Sequence, residues 1–241
     1  MDTEREYQLI RKIATYEVGE KSTLKLSFFL SLCQEISELH LGEWGLPYET
    51  MKARGLVFLF TQTRAKFDRM PEHREEIELI TRPNGSVGVQ FYREFEMRNH
   101  KTGELLAKAT QTSVAADAVS HKILRPKAFL EFGADPGVHD GNRLEKVVLP
   151  EHMEAVGERP VFYSDLDYNG HLNNAVYADI LCDYLPGGMM GRNIAEFQIH
   201  YIMESKYGET LRLYAGEKNG YQYFSGDNDR GHSFECQVRL I

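Results

Sequence analysis

Asp165-Leu-Asp-Tyr-Asn-Gly-His-Leu-Asn-Asn-Ala-Val-Tyr177 gathers two carboxylates, three carboxamides and an imidazole within thirteen residues. Side chains of an extended segment leave alternate sides, so Asp167, Asn169 and His171 are expected on the same side of it. From Leu172 the apolar positions change to helical spacing, with Leu172, Val176, Ile180 and Tyr184 in line and Ala175 beside them. The spacing predicts a helix over 172–185. Polar and proton-handling groups then stand at a helix N-terminus, where free N–H groups and the positive dipole end favour a developing negative charge. Such a place suits an oxyanion, and the stretch points to acyl-transfer chemistry.

The same letters allow two other readings. Asp165-x-Asp167-x-Asn169-Gly170 matches the opening of an EF-hand calcium loop, which needs a bidentate Glu at its twelfth place. Here that place holds Val176, and no apolar-periodic helix runs into Asp165, because Arg159-Pro-Val-Phe-Tyr163 reads as a strand. The plainer reading is an Asx-rich loop that caps a helix, with Asn173 or Asn174 as N-cap and His171 merely exposed.

Around the motif the chain reads as an internal duplication. Glu-Glu-Ile-Glu-Leu at 75–79 resembles Glu-Thr-Leu-Arg-Leu at 209–213, 134 positions later. Each opens an alternating strand that leads to an Asn-Gly pair, Asn84-Gly85 and Asn219-Gly220. Asn-Gly is favoured in a tight hairpin because both central residues take positive φ. Further strands are expected over 90–97 and 105–114, and over 221–225 and 232–240, with polar turns at 99–103 and 227–231. The first long helix is expected over 27–41, with Leu26, Phe29, Leu30, Cys33, Ile36 and His40 on one face. Strand, long helix and antiparallel meander, all twice, fit a sheet wrapped around a helix. Residues 119–159 hold Gly133, Pro136, Gly137, Gly141, Pro150 and Gly157 and read as a connector across the outside of the sheet, with a short helical piece around 127–132. The expected division is 1–118, connector 119–159, and 160–241. The copies are not equivalent: Tyr16-Glu-Val-Gly-Glu-Lys-Ser22, before the first helix, contains no Asp-x-Asn-x-His. One site per chain follows.

The chain has 241 residues, 42% hydrophobic and 27% charged, which is ordinary globular composition. Cys33, Cys182 and Cys236 show neither paired nor metal-type spacing, which fits a reducing compartment. The acidic Met1 to Tyr7 reads as neither signal nor transit peptide, and no apolar stretch approaches the roughly 20 residues that span a bilayer. A soluble, cytoplasmic protein is expected. A net charge of −8 argues against a broad nucleic-acid footprint.

Asp-x-Asn-x-His-x-Asn-Asn-x-x-Tyr, running from Asp167 to Tyr177, resembles the active-site signature of the acyl-acyl-carrier-protein thioesterases, a hotdog-fold family. Family members carry a further acid on the strand after the helix, and Glu204, 33 residues past His171, matches it. Some plant members have a cysteine beside that acid; the neighbour here is Ser205. The resemblance implies an α+β tandem (double) hotdog, with two long helices wrapped by antiparallel sheets joined into one. It implies catalysis by Asp167, Asn169, His171 and Glu204, with Asn173 and Asn174 at the substrate. The first half would line the acyl pocket through Phe28, Phe29, Phe58 and Phe60, which equally read as plain core. Acyl carrier protein is the implied partner. Docking it on an acidic body needs a local basic patch, for which Lys122, Arg125 and Lys127 are candidates, although such a run is more often a solvated connector. A homodimer stays open.

A thioester is activated enough to need no metal or other cofactor, and the histidines outside the motif lack ligand spacing. There is no Gly-x-Ser-x-Gly elbow, and Cys182 inside the second helix reads as a packing residue, so water is the expected nucleophile. Glu204 or Asp167 would be its base, His171 would orient water or protonate the leaving thiolate, and Asn169 with a backbone N–H at the helix start would hold the thioester oxygen. The rival readings are a hotdog hydrolase of coenzyme A thioesters, a non-catalytic acyl-binding or sensory module, and a hotdog dehydratase.

Overall fold

The computed structural model describes residues 5–241; residues 1–4, part of the acidic N-terminal stretch, lie outside the described residues. The chain order is β1 (Tyr7–Lys12), α1 (Leu26–Glu43), α2 (Tyr48–Ala53), β2 (Leu56–Phe67), β3 (Glu76–Val87), β4 (Gln90–Asn99), β5 (Leu105–Asp117) and α3 (Lys127–Leu130). It continues with β6 (Glu154–Pro160), α4 (Val176–Tyr184), β7 (Ile194–Tyr201), β8 (Thr210–Lys218), β9 (Tyr221–Asn228) and β10 (Gly231–Leu240). All ten strands form one sheet in the order β1-β3-β4-β5-β2-β7-β10-β9-β8-β6. That order mirrors about its centre, where β2 and β7 pair antiparallel, from Gln62 opposite His200 to Lys66 opposite Glu196. This is the tandem hotdog.

The duplication is written in side-chain chemistry as well as in topology. A short 3₁₀ turn, Thr15–Glu17, follows β1, and its counterpart Tyr163–Asp165 follows β6. In the first copy the Glu17 carboxylate takes the Arg11 guanidinium at 2.6 Å and the Ala14 N–H at 2.7 Å. In the second the Asp165 carboxylate takes Arg159 at 2.7 Å through both oxygens, and the Phe162 N–H at 2.7 Å. Each residue stands 148 positions after its equivalent. Burial alone would push the Asp165 carboxyl up, but the Arg159 guanidinium and the Phe162 N–H outweigh it and hold the group below the usual carboxylate range. With both oxygens committed to Arg159, Asp165 is a brace rather than the first ligand of a calcium loop.

Asp165→Asn should therefore cost about 2–4 kcal/mol, because Arg159 is left partly buried without its counter-charge. The sign with pH follows from the lowered carboxyl. Its contribution is fully present above the unfolded-state value of about 4 and is lost as pH falls through the lower folded value. Urea midpoints measured from pH 7 downward should fall further for the parent than for the variant below about pH 4. Parallel curves would refute the brace.

Helix α1 forms as its apolar spacing predicts: Leu26, Phe29, Leu30, Cys33, Ile36 and His40 are all buried. It lies beside α4 in one core with the inward residues of the sheet, among them Phe95, Phe197, Leu213 and Phe234. Each such large apolar side chain contributes about 1.5–3 kcal/mol on leaving water. The second helix is shorter than the spacing predicts and begins at Val176 rather than Leu172. Leu172 still points into the core, but its N–H donates to the Ser205 carbonyl at 2.8 Å, which holds it in a bridge to the neighbouring loop. Asn173 Oδ1 then takes the Ala175 N–H at 2.9 Å in an Asx turn ahead of the helix.

The two Asn-Gly pairs also part company. Asn219-Gly220 makes the expected turn, with φ of 54° and 76°. Asn84-Gly85 does not; it forms a bulge where the β3–β4 register skips from Pro83 to Ser86, and the chain reverses at Gly88-Val89. The connector explains the difference. Gly85 donates its N–H to the Pro136 carbonyl at 2.7 Å, and a Cβ there would stand 2.3 Å from the His139 nitrogen. Similarly, β6 stops at Pro160, short of the strand expected through Tyr163, because the 3₁₀ turn takes over.

Candidate active site

The motif loop closes on itself around Asp167. Its Oδ1 accepts the N–H of Asn169 at 2.8 Å and of His171 at 3.2 Å, while its own N–H donates to the His171 carbonyl at 2.8 Å. Gly170, at φ +78°, makes that turn possible. The loop exposes Asn169 and leaves His171 half-buried.

Glu204 arrives from the other side. It lies beyond the end of β7 rather than on that strand, as the resemblance had implied, and its backbone is pinned: Asn228 Nδ2 donates to its carbonyl at 3.1 Å, and so does Arg230. Ser205 is wholly buried, its hydroxyl 2.9 Å from that of Ser233 and 3.2 Å from Asn228 Nδ2, so it anchors the loop and is not presented to a substrate. The backbone bridge of His171 to Lys206 laces the two loops together. His171 Nε2 consequently stands 3.4 Å from Glu204 Oε2. Lys206 Nζ is 3.3 Å from the other oxygen.

Two residues that sequence reasoning missed complete the cluster. His121 Nδ1, from the connector, lies 3.9 Å from Glu204 Oε2, and its ring meets that of His171 edge-on at 6.2 Å. Tyr48, at the start of α2, donates its hydroxyl to Asn169 Oδ1 at 2.5 Å. The only sequence sign of His121 was its place in the basic run; its left-handed φ of +55°, which turns it back, is not readable from composition. Tyr48 carries no sequence signal, because it comes from the other half of the chain.

Asn173 and Asn174 serve the turn before α4. Asn173 also borders a polar cleft with Tyr48 and Tyr168, and the Asn174 carbonyl accepts the Tyr201 hydroxyl at 3.0 Å. The helix starts five residues past His171, so its first N–H groups stand further from the imidazole than the expected helix start would put them. Cys182 is largely buried, and burial pushes its thiol up to about 12, far from a reactive thiolate. Among the described residues, no group of three or more His, Cys, Asp or Glu side chains is placed to hold a metal ion, and no helix is long and apolar enough to cross a membrane.

The corresponding place in the first copy has lost every group. The bridges Val18–Leu24 and Thr23–Glu72 repeat Leu166–Leu172 and His171–Lys206. By that register Gly19, Lys21, Thr23 and Met70 stand where Asp167, Asn169, His171 and Glu204 stand in the second. Lys21 instead ties the halves together, its ammonium bonding the Arg192 carbonyl at 2.7 Å and Asn193 Oδ1 at 2.8 Å.

The four candidate pocket aromatics separate. Phe58 and Phe60 line an apolar cavity between the C-terminal part of α1 and the sheet, with Leu41, Trp44, Phe91 and Phe129. Phe58, Phe91 and Phe129 form an edge-on triangle at 5.0–5.4 Å. Arg93 also borders this cavity; its guanidinium lies 3.1 Å from His40 Nδ1 and 3.2 Å from Thr81 Oγ1, and burial draws it down to about 10. Phe29 is elsewhere, 1% exposed in the main core against Phe67, and Phe28 is half-buried beside Tyr16. Lys122, Arg125 and Lys127 are all exposed, on the segment that follows His121.

A mirrored double hotdog with one carboxylate–imidazole–carboxamide cluster defines the class of the protein. The chain belongs to the acyl-ACP thioesterase family: the family's N-terminal domain matches residues 4–127 and its C-terminal domain residues 151–238. It is 24% identical, over 83% of its length and 56% of the relative's, to the chloroplastic dodecanoyl-[acyl-carrier-protein] hydrolase of Cinnamomum camphora. It thus spans about half the length of the curated relatives it matches. Its fold matches an acyl-ACP thioesterase from Bacteroides thetaiotaomicron with a TM-score of 0.85, at 17% identity over 100% of both chains. It also matches the 12:0-ACP thioesterase from Umbellularia californica with a TM-score of 0.81, at 20% identity over 98% of this chain and 97% of that one.

Proposed function

We propose that the chain hydrolyses the thioester of a fatty acyl-acyl carrier protein, releasing free fatty acid and the carrier thiol. The observation that carries this is the contact of His171 Nε2 with the Glu204 carboxylate at 3.4 Å, beside the exposed amide of Asn169. Glu204 is the better general base, because Asp167 spends an oxygen on two backbone N–H groups and orders the loop. Water bound beside Glu204 and His171 gives its proton to Glu204 and attacks the thioester carbon. The Asn169 Nδ2–H donates to the oxygen that gains charge. Collapse of the tetrahedral intermediate breaks the C–S bond, and the proton held at the Glu204–His171 pair passes to the thiolate. A thiolate is a good leaving group (thiol pKa about 8.5), so base and oxyanion stabilisation matter more than the acid.

The exposed basic run Lys122, Arg125 and Lys127 continues from His121 at the cluster, which supports it as the seat of an acidic carrier. Three free cysteines support a reducing compartment such as cytoplasm. The deciding experiment is a thiol-release screen of carrier-linked acyl chains from short to long, beside the matching coenzyme A thioesters. Release from the carrier series with a length optimum is expected. Turnover of coenzyme A thioesters alone would name the other hotdog hydrolase, and no turnover of either would leave an acyl-binding module.

Chain-length preference should be set in the first half, at the cavity. Phe58→Ala and Phe60→Ala should favour longer chains while keeping turnover, each methylene changing discrimination by about 1–3 kcal/mol. Phe29→Ala should instead cost about 3–5 kcal/mol of stability, as a core deletion. An unchanged length profile in both cavity variants would move the acyl seat elsewhere.

A further inference from the structure

We infer that Tyr48 is a positioning residue for the reaction: it locks the amide of Asn169 so that its NH₂, not its oxygen, faces the thioester. This rests on the thioesterase reading above and assigns a residue outside the motif to it.

The orientation of a carboxamide follows from what its neighbours can donate or accept. On one side of Asn169 is the Asp167 carboxylate, with Oδ2 3.5 Å from Asn169 Nδ2; an ionised carboxylate can only accept, so the NH₂ belongs there. On the other side is the Tyr48 hydroxyl, 2.5 Å from Asn169 Oδ1, and with the oxygen turned toward it the phenol donates. The two neighbours agree on one orientation. One hydrogen of the NH₂ then lies toward Asp167 and the second is left for the thioester oxygen. Without the phenol, the oxygen of the exposed amide is free to turn toward the substrate, where it would repel the developing oxyanion. Donation by Tyr48 also polarises the amide and strengthens its N–H as a donor.

Tyr48 is itself held. Its N–H donates to the Glu38 carboxylate on α1, its ring lies 4.7 Å from that of Tyr168 in the motif loop, and the Lys52 ammonium sits over the ring at 5.3 Å from its centre. The first half of the chain thus reaches across to set a donor in the second. Lys21, the register equivalent of Asn169, also reaches across, to Asn193, but carries no carboxamide to orient.

The test is a double-mutant cycle on the full chain with an acyl-carrier-protein substrate. Tyr48→Phe keeps the ring contacts and removes only the hydroxyl. It should lower kcat about 5- to 20-fold with KM and melting temperature unchanged. In the Asn169→Ala background, Tyr48→Phe should have no further effect, because the group it orients is gone. If Tyr48→Phe stays within twofold of the parent while Asn169→Ala is severely impaired, the positioning role is wrong and the thioesterase reading stands. Equal losses in both backgrounds would mean that Tyr48 acts by another route, which also overturns it. If Asn169→Ala itself turns over normally, the oxyanion assignment fails first.

Discussion

Glu204→Gln should lower kcat for the carrier thioester roughly 10²–10⁴-fold, with the melting temperature almost unchanged. The exchange keeps shape and hydrogen bonding but removes the proton acceptor 3.4 Å from His171 Nε2. Stability should hold because the loop is fixed through backbone and neighbours: the Glu204 carbonyl on Asn228, and the buried Ser205 hydroxyl on Ser233. Asp167→Asn is the control. That carboxylate organises the loop through backbone N–H groups, so its loss should cost both kcat and stability. Single-turnover thiol release together with thermal unfolding separates the two. A Glu204→Gln enzyme with near-parental kcat, beside an inactive but folded Asp167→Asn, would make Asp167 the base.

The second large effect is expected at His171. His171→Ala should reduce kcat by a similar roughly 10²–10⁴-fold. The ring is half-buried and its close partners among the described residues, Glu204 and His121, belong to the cluster, so unfolding should shift by less than about 1 kcal/mol. What His171 gives to the fold is its backbone, through the bridge to Lys206 and the carbonyl that accepts the Asp167 N–H, and alanine retains both. His121→Ala is the informative partner. It removes a second imidazole 3.9 Å from the same Glu204 oxygen without touching the loop, and should give a smaller loss than His171→Ala. A His171→Ala protein that turns over at the parental rate would return this residue to a plain loop position with no part in the reaction.

Much of this molecule was legible from one-dimensional patterns. The period of the apolar residues in Leu26–Glu43 fixes the helix and its buried face, because nothing else satisfies that spacing. The repeat of Glu75–Leu79 at Glu209–Leu213, and the motif present in one copy only, give two units and one site. Those features depend on local periodicity and on which residue types occur, which a sequence states outright. The start of α4, the bulge at Asn84-Gly85 and the place of Glu204 beyond β7 were decided otherwise. In each, a contact from a distant segment outcompetes the local preference: Ser205 for the Leu172 N–H, Pro136 for the Gly85 N–H, and Asn228 for the Glu204 carbonyl. The division of the aromatics is of the same kind, since Phe29 and Phe58 have equal hydrophobicity and only the packing decides between them: Phe29 on the inward face of α1 meets Phe67, and Phe58 on β2 meets Phe91 and Phe129 at the cavity. Tyr48 and His121 lie furthest from any sequence signal. They reach Asn169 and Glu204 because the pairing of β2 with β7 joins the two halves edge to edge in one sheet, so that the first half supplies Tyr48 and the connector His121 to a site in the second.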